Sequence, residues 1–493
     1  MPVRFYNTLS QSLEEFKPLR EKHAGMYTCG PTVYDFAHIG NFRAFVFEDL
    51  LRRFLECCGY HVQHVMNLTD VDDKTIAGAL REKKTLAEYT AQYAQAFNDD
   101  LKTLNCLTPT SQPCATEKIQ LMLDLIKTLL EKGFAYESKG SVYYRVSKFQ
   151  GYGKLSKKNL EMNRTGASER VEADEYESKQ EATDFVLWKG VKAGEAQIGA
   201  AWDSPWGQGR PGWHIECSAM SMQELGERFD LHAGGEDLIF PHHENEIAQS
   251  EGATGKSPFV KYWLHCKFLL VDGEKMSKSK GNFYTLRDLL AKDCDPMALR
   301  YALLAVHYRS ALNFTLEGVK EAGEIIRKFD ECYWLCLNRK VLPLHTPELA
   351  HLPAGIAPLL EKNKAEILEG LSDDLNVSLA LSRLVLAVKE INTRLAENRL
   401  GPDSLQAALE FFKWVDALLG LNICGTQEIP GAILALMDKR SEVRKQVAAD
   451  KSNKALWTES DKLRDEIQAQ GWIVKDARPG EPSTLKMKRR KWD

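Results

Sequence analysis

Apolar positions recur along the first hundred residues with two spacings. A short apolar run at 26–29 stops at Gly30-Pro31, a turn signal, and predicts a buried strand. Phe42, Phe45, Val46, Leu50, Phe54 and Leu55 then fall at helical spacing, predicting a helix over 40–58 that Gly59 closes. Residues 61–68 alternate like a second strand, and Asp70, Asp72 and Asp73 stand near the start of the next element. This strand–helix–strand order favours a parallel sheet with ligands at the carboxyl ends of its strands.

Beyond residue 115 the pattern changes. A helix is predicted over 116–132 and a strand over 141–146, followed by a polar stretch at 151–182 rich in Lys, Glu, Asn and Ser. Residues 116–204 therefore read as an insertion into the α/β domain. After Gly209-Arg-Pro-Gly212 the apolar, glycine-punctuated pattern returns and continues to about residue 270. From 286 onward the chain is helical almost throughout, with amphipathic bundle helices over 359–395 and 404–421 separated by 398–402, then a small module from about 430. No internal repeat is visible.

Composition narrows the class. The 493 residues suggest about three domains at roughly 100–200 residues each. No apolar run reaches the roughly eighteen residues of a membrane span. Met1-Pro-Val-Arg-Phe leads into mixed polar sequence without the apolar core of a signal peptide, so a cytoplasmic protein is expected. Eleven scattered cysteines, an odd number without C-x-x-C pairs, argue for free, mostly buried thiols and against a disulfide framework. The net charge of −4 does not advertise a nucleic-acid partner. Positions 430–493, however, hold fifteen Lys/Arg against ten Asp/Glu, a surplus of +5 that leaves −9 for the rest. Before the final Asp493 stands Lys486-Met-Lys-Arg-Arg-Lys-Trp492, which reads either as a solvated end or as a phosphate-contacting one.

Three stretches can carry chemistry. Cys29 ends a strand, Cys217 lies in Gly212-Trp-His-Ile-Glu-Cys217, and His242 and Glu246 stand four apart in Phe240-Pro-His-His-Glu-Asn-Glu246. These are zinc-type donors, yet the spacing fits equally well with core cysteines and a solvated helix start. Thr28-Cys-Gly-Pro-Thr-Val-Tyr-Asp-Phe-Ala-His-Ile-Gly-Asn41 sets a strand, a turn and a helix start in succession, a natural anion site, although a lone His-x-Gly more often caps a helix. Asp272-Gly-Glu-Lys-Met-Ser-Lys-Ser-Lys-Gly-Asn282 offers mobile ammonium groups between glycines, or simply an exposed basic loop.

Together, and in this order, these motifs resemble the His-Ile-Gly-His and Lys-Met-Ser-Lys-Ser signatures of class I aminoacyl-tRNA synthetases. Cys-Gly-Pro-Thr-Val-Tyr-Asp with Phe-Pro-His-His-Glu-Asn-Glu-Ile-Ala-Gln is similar to the cysteinyl branch specifically, strongly from about residue 20 to 310. The resemblance implies a Rossmann-type parallel-sheet catalytic domain (1–115 and 205–270) with the 116–204 connective insertion. A stem-contact region over 271–330, a helical bundle over 331–425 and an anticodon-recognition module over 426–493 would follow. It implies one Zn2+ held by Cys29, Cys217, His242 and Glu246, with Cys29, Thr69 and Trp213 lining the amino-acid pocket. Trp213 as a plain core aromatic remains a competing reading. His38, Lys275 and Lys278 would be catalytic, and Gly30, Pro31, His38, Gly40, Asn41, Gly235, Asp237 and Lys278 would bind ATP, which brings Mg2+. Asn41 departs from the signature, whose second histidine it replaces.

The substrates so implied are L-cysteine, ATP and tRNA(Cys), acting on a monomer with no membrane partner. Cysteine and serine differ by one atom, and shape discriminates such near-isosteres poorly. A zinc that prefers thiolate to hydroxyl would do so directly. Two other readings stand beside this one. A cysteine:amino-sugar ligase of mycothiol synthesis would share these motifs but not need the C-terminal helices, and a non-catalytic tRNA-binding relative would not need all the motif residues intact.

Overall fold

The computed structural model describes residues 2–158, 178–341, 355–425, 429–476 and 483–488. It divides into two compact units. The first comprises Met1–Leu289, Val306–Thr315 and Leu371–Asn376; the second comprises Leu290–Ala305, Leu316–Gly370 and Val377–Asp493.

A four-stranded sheet organises the first unit. Its strands, in spatial order, are Val260–Cys266, Phe229–Gly235, His23–Thr28 and His61–Met66, all parallel. Helices cover such a sheet on both faces, so its strands are apolar through their length: Met26, Tyr27, Leu231, Ala233, Trp263 and Leu264 are fully buried. Chain order reverses between His23–Thr28 and Phe229–Gly235. At that switch point the flanking connections leave in opposite directions and open a crevice at the carboxyl ends.

The helix Ile39–Cys57 turns Phe42, Val46, Leu50 and Phe54 into the core at the expected spacing, and Gly59, at φ +84°, follows its last residues. The strands differ at their edges from the sequence expectation. The first begins at His23, because His23, Ala24 and Gly25 already pair with His61, Val62 and Gln63, and the second stops at Met66, beyond which Asn67 turns to Gly30 and Thr69 and Leu68 bridges to Cys114.

The helix expected from 116 opens as a 3-10 turn, Ala115–Lys118, and becomes α-helical over Ile119–Glu131. The neighbouring antiparallel sheet pairs Ala135–Ser138, Ser141–Tyr144, Phe185–Gly190 and Gly209–Pro211 in that order, around Val142, Tyr144, Leu187 and Trp188. Most of the polar 151–182 stretch, residues 159–177, lies outside the described residues.

Helices Leu316–Val341, Val377–Ala396 and Pro402–Leu419 pack together in the second unit. Gly431–Ala449 and Lys454–Ala469 form a helical pair, followed by the hairpin Trp472–Lys475 with Thr484–Met487. Lys486 is part of that hairpin and buried, so the basic stretch begins in ordered structure, while residues 489–493 lie outside the described ones. Among the described residues no helix is long and apolar enough to cross a membrane.

All eleven cysteines are free, but the expectation of interior thiols fails at Cys57 and Cys58. Both are exposed, at the last residue and the C-cap of the helix Ile39–Cys57.

Helix Pro402–Leu419 ends on Gly420, at φ +66°, against the fully buried Arg300, whose Nε donates to the Leu419 carbonyl at 2.8 Å. A Cβ at 420 would lie 2.7 Å from the guanidinium. Gly420→Ala therefore combines left-handed strain with a clash, and should destabilise the protein by about 2–3 kcal/mol, read from the denaturation midpoint.

Candidate active site

Three elements converge where the central sheet reverses direction. Cys29 follows the strand His23–Thr28, Cys217 lies in the helix Trp213–Leu225, and Glu246 lies in the first turn of the helix Glu244–Thr254. His242 precedes that helix in an irregular wider turn, so the His242–Glu246 pair spans the junction rather than one regular α-helical face. The four side chains meet. Cys29 Sγ lies 3.7 Å from Cys217 Sγ, 3.4 Å from His242 Nε2 and 3.8 Å from Glu246 Oε1, and His242 Nε2 lies 3.0 Å from the same Glu246 oxygen. Two sulfurs bound tetrahedrally at about 2.3 Å from zinc stand about 3.8 Å apart, so these separations fit one ion.

The alternative of a solvated helix start is set aside, since His242, His243 and Glu246 are fully buried. A second grouping shares two donors: Cys29, His232, His243 and Glu246. It holds one sulfur instead of two, and its His243–Glu246 separation is 4.0 Å, so the Cys29/Cys217/His242/Glu246 set is the tighter and softer one.

The electrostatics suit a cation. Burial pushes Glu246 up, but His232 and His242 outweigh it and hold the carboxyl at about 2. Burial likewise opposes a Cys217 thiolate, yet the hydrogen bond from Cys29 and the nearby His242 bring it down to about 6. Cys29 is pushed well above the ordinary thiol value, by burial first and by Cys217 next.

Outside the four donors lies a shell that the sequence did not reveal. His214 Nδ1 meets His242 Nδ1 at 2.9 Å, leaving Nε2 of His242 facing the centre. His232 Nε2 lies 3.1 Å from the second oxygen of Glu246. His243 Nδ1 meets His265 Nε2 at 2.8 Å, and His265 in turn meets Thr8 Oγ1 at 2.7 Å. Such partners fix ring orientation and tautomer around a metal. One signal was readable: His232 interrupts the apolar run Phe229-Asp-Leu-His-Ala of a buried strand.

Thr69 and Trp213 border this centre. Asn67 Nδ2 donates to Thr69 Oγ1, which donates to the buried Glu216, while Asn67 Oδ1 accepts from the Gly30 amide at 3.0 Å. Trp213 is half-buried and lays its ring 4.2 Å, centroid to centroid, from that of His242. Pro31 ties in through its carbonyl, which accepts from Thr69 N at 3.2 Å.

The nucleotide-side candidates gather at the start of the helix Ile39–Cys57. His38 is its N-cap. Asn41 N donates to His38 Nδ1, and His38 N donates to Asn41 Oδ1. Asn41 thus completes a reciprocal cap, which accounts for an amide in place of the signature imidazole. Burial first, and Lys278 as well, lower the His38 pKa against an opposing pull from Asp237, which disfavours the imidazolium. Lys278 meets Asp35 at 2.9 Å, and the hydrogen bond to that carboxylate raises its pKa. Lys275 is exposed in the short strand Glu274–Lys275, its carbonyl accepting from Asn282. Gly40 admits Met276, whose Cε would lie 2.6 Å from a Cβ there, and Gly235 admits Asp237 Oδ1 at 2.4 Å.

Residues 15–324 match the family described as tRNA synthetases class I (C) catalytic domain. The chain is 44% identical over 483 residues to the cysteine–tRNA ligase of Protochlamydia amoebophila, covering 97% of each chain. It is 45% identical over 484 residues to that of Solibacter usitatus, covering 97% of this chain and 99% of the relative. Among solved structures, Mycobacterium tuberculosis methionyl-tRNA synthetase in complex with methionyl-adenylate superposes with a TM-score of 0.59 at 15% identity, over 84% of this chain and 93% of the other. That likeness carries the fold, which is the one used by class I aminoacyl-tRNA synthetases. The chain belongs to the cysteinyl-tRNA synthetase family of this class.

The closest backbone approach in the site makes a test. A Cβ at Gly30 would fall 1.7 Å from the Asn67 carbonyl oxygen, so Gly30→Ala must push Cys29 away from its partners. A displacement of about 1 Å costs on the order of 10²-fold in rate, and amino-acid activation should fall by that much or more in a protein that still unfolds cooperatively.

Proposed function

We propose that this protein activates L-cysteine with ATP to cysteinyl-adenylate and transfers it to tRNA(Cys), with a zinc ion held by Cys29, Cys217, His242 and Glu246 selecting the substrate. The observation that carries this is the convergence of two thiols, an imidazole and a carboxylate at the sheet's switch point, at separations that fit tetrahedral zinc. What zinc supplies when bound is preference for a soft thiolate over a hydroxyl that resists deprotonation. Selection of about 10⁴-fold corresponds to roughly 5.5 kcal/mol, more than packing against one altered atom provides.

The chain's own groups account for the rest. In activation a cysteine carboxylate oxygen attacks the α-phosphorus and pyrophosphate leaves; in transfer a tRNA hydroxyl attacks the adenylate carbonyl and AMP leaves. No covalent enzyme intermediate is needed, so positioning and charge stabilisation dominate. The positive end of the helix Ile39–Cys57 favours an anion nearby, and His38 adds hydrogen bonding there. Lys278, with Lys275 beside it, supplies positive charge for the departing pyrophosphate, whose magnesium comes with ATP. Gly235 and Asp237 stand at the end of the Phe229–Gly235 strand, where a ribose would be held, and Trp213 and Thr69 wall the amino-acid pocket.

Support for a tRNA substrate comes from the second unit, which contains none of the candidate site residues, and from relatives matched over 97% of this chain. RNA loops are read by stacking and by base edges, for which such a module is suited.

Three measurements test this reading. The purified protein should catalyse cysteine-dependent ATP–pyrophosphate exchange and charge tRNA with cysteine; exchange without charging would favour the amino-sugar ligase, and neither would leave a binding protein. Cys217→Ser should lose stoichiometric zinc by elemental analysis together with exchange, and retention of both refutes the metal assignment. Lys278→Ala should slow adenylate formation by about 10²–10³-fold while leaving cysteine affinity near the wild-type value. A collapse of cysteine binding with an intact rate would contradict the role given to Lys278.

A further inference from the structure

Lys278 is the cation on which nucleotide activation is proposed to turn, and its ammonium already has an anion. Its Nζ lies 2.9 Å from Asp35 Oδ2, although both side chains are substantially exposed. The other oxygen of Asp35 accepts from the Phe36 amide at 2.8 Å, so the carboxylate is aimed by its own loop. Lys278 also sits over the Phe283 ring, 5.2 Å from its centroid, and the edge of that ring meets His38.

The whole segment is folded down on the helix start. Ile39 N donates to the Tyr284 carbonyl at 2.9 Å, His38 and Thr285 form a β-bridge, and Met276 occupies the space that Gly40 leaves open. Within the segment, Ser277 N donates to Asn282 Oδ1 at 2.8 Å. A basic loop closed over a helix N-terminus gathers two sources of positive potential in one place, an arrangement that calls for an anion. The Asp35 carboxylate meets that need from the side of the strand-to-helix loop.

We propose that Asp35 is a stand-in for phosphate: a positioning residue that holds Lys278 and its loop against the His38-Ile39-Gly40 helix start until the phosphates of ATP take the ammonium over. The inference rests on the functional reading above for the identity of the nucleotide. The exchange moves no proton and breaks no covalent bond; one charge-assisted hydrogen bond to a carboxylate is replaced by others to phosphate oxygens, which carry more charge. Every ATP that binds must displace Asp35. An exposed pair of this kind shifts an equilibrium by about two- to five-fold, enough to tune nucleotide affinity without blocking it.

Asp35→Asn keeps the shape and the acceptor for Phe36 but removes the charge. With a non-hydrolysable ATP analogue and no cysteine present, its dissociation constant in calorimetry should fall about two- to five-fold. Asp35→Glu, which keeps the charge, should retain the wild-type affinity. Trypsin should cut the 274–281 segment faster in Asp35→Asn than in wild type without nucleotide, and equally with saturating analogue. In a Lys278→Ala background, adding Asp35→Asn should leave analogue affinity unchanged. An unchanged or weaker affinity in Asp35→Asn overturns the proposal, and so does a gain that persists without Lys278, which would mean simple repulsion of the nucleotide. Failure of the functional reading looks different: wild-type protein would then show no cysteine-dependent exchange at all.

Discussion

The buried carboxylate of Glu246 is the constraint around which the catalytic unit is arranged. It is fully enclosed, with His242 at 3.0 Å on one oxygen and His232 at 3.1 Å on the other. Leaving a carboxylate uncompensated in such a place costs several kcal/mol, so its surroundings have to supply charge and hydrogen bonds from several directions. They come from a strand (His232), from the irregular turn before its own helix (His242), and from Cys29, whose sulfur lies 3.8 Å from Glu246 Oε1. Only where parallel strands diverge do so many segment ends meet without the sheet itself filling the space.

The same requirement explains the rigidity of the surroundings. Gly30 sits so close to the Asn67 carbonyl that no side chain fits, and Asn67 ties that turn to Thr69 and, through it, to Glu216. The imidazoles are likewise held at their far nitrogens, His242 by His214 and His243 by His265, and His265 by Thr8. Metal selectivity depends on geometry as much as on donor type, and geometry here is inherited from residues that never reach the centre.

This separation also marks what the sequence could disclose. The parallel sheet was legible because its strands are short, apolar and bounded by turns. Cys29, Cys217, His242 and Glu246 were legible only as a family pattern, since their own spacing was equally consistent with core thiols and a solvated helix start. His232, His265, His214 and Asn67 were not assigned any role. Apart from Thr69, beside Asn67, their partners around the centre lie 14 or more residues away, beyond the reach of local periodicity, and His232 alone showed a local sign as a break in its strand. Asn41 was read as a possible phosphate donor, but its visible work is to close a cap with His38, a local pairing that its spacing of three residues did encode.

Two ends of one helix start divide the chemistry. On the amino-acid side, a dry pocket of soft donors makes charge expensive unless it is paired, which favours recognition by bond type over recognition by shape. On the nucleotide side, the lysine loop is exposed, its charges are screened, and individual contacts are weak. That asymmetry suits the two substrates. Cysteine must be distinguished from a near-isostere by a large free-energy difference, a task for which shape alone is poorly suited. ATP must be admitted, stabilised as its charge redistributes, and released as pyrophosphate, which weak, screened contacts suit better than buried ones. Burying Lys278 as deeply as Glu246 would strengthen its hold on phosphate in the ground state and transition state alike, and binding both equally adds nothing to the rate of the chemical step.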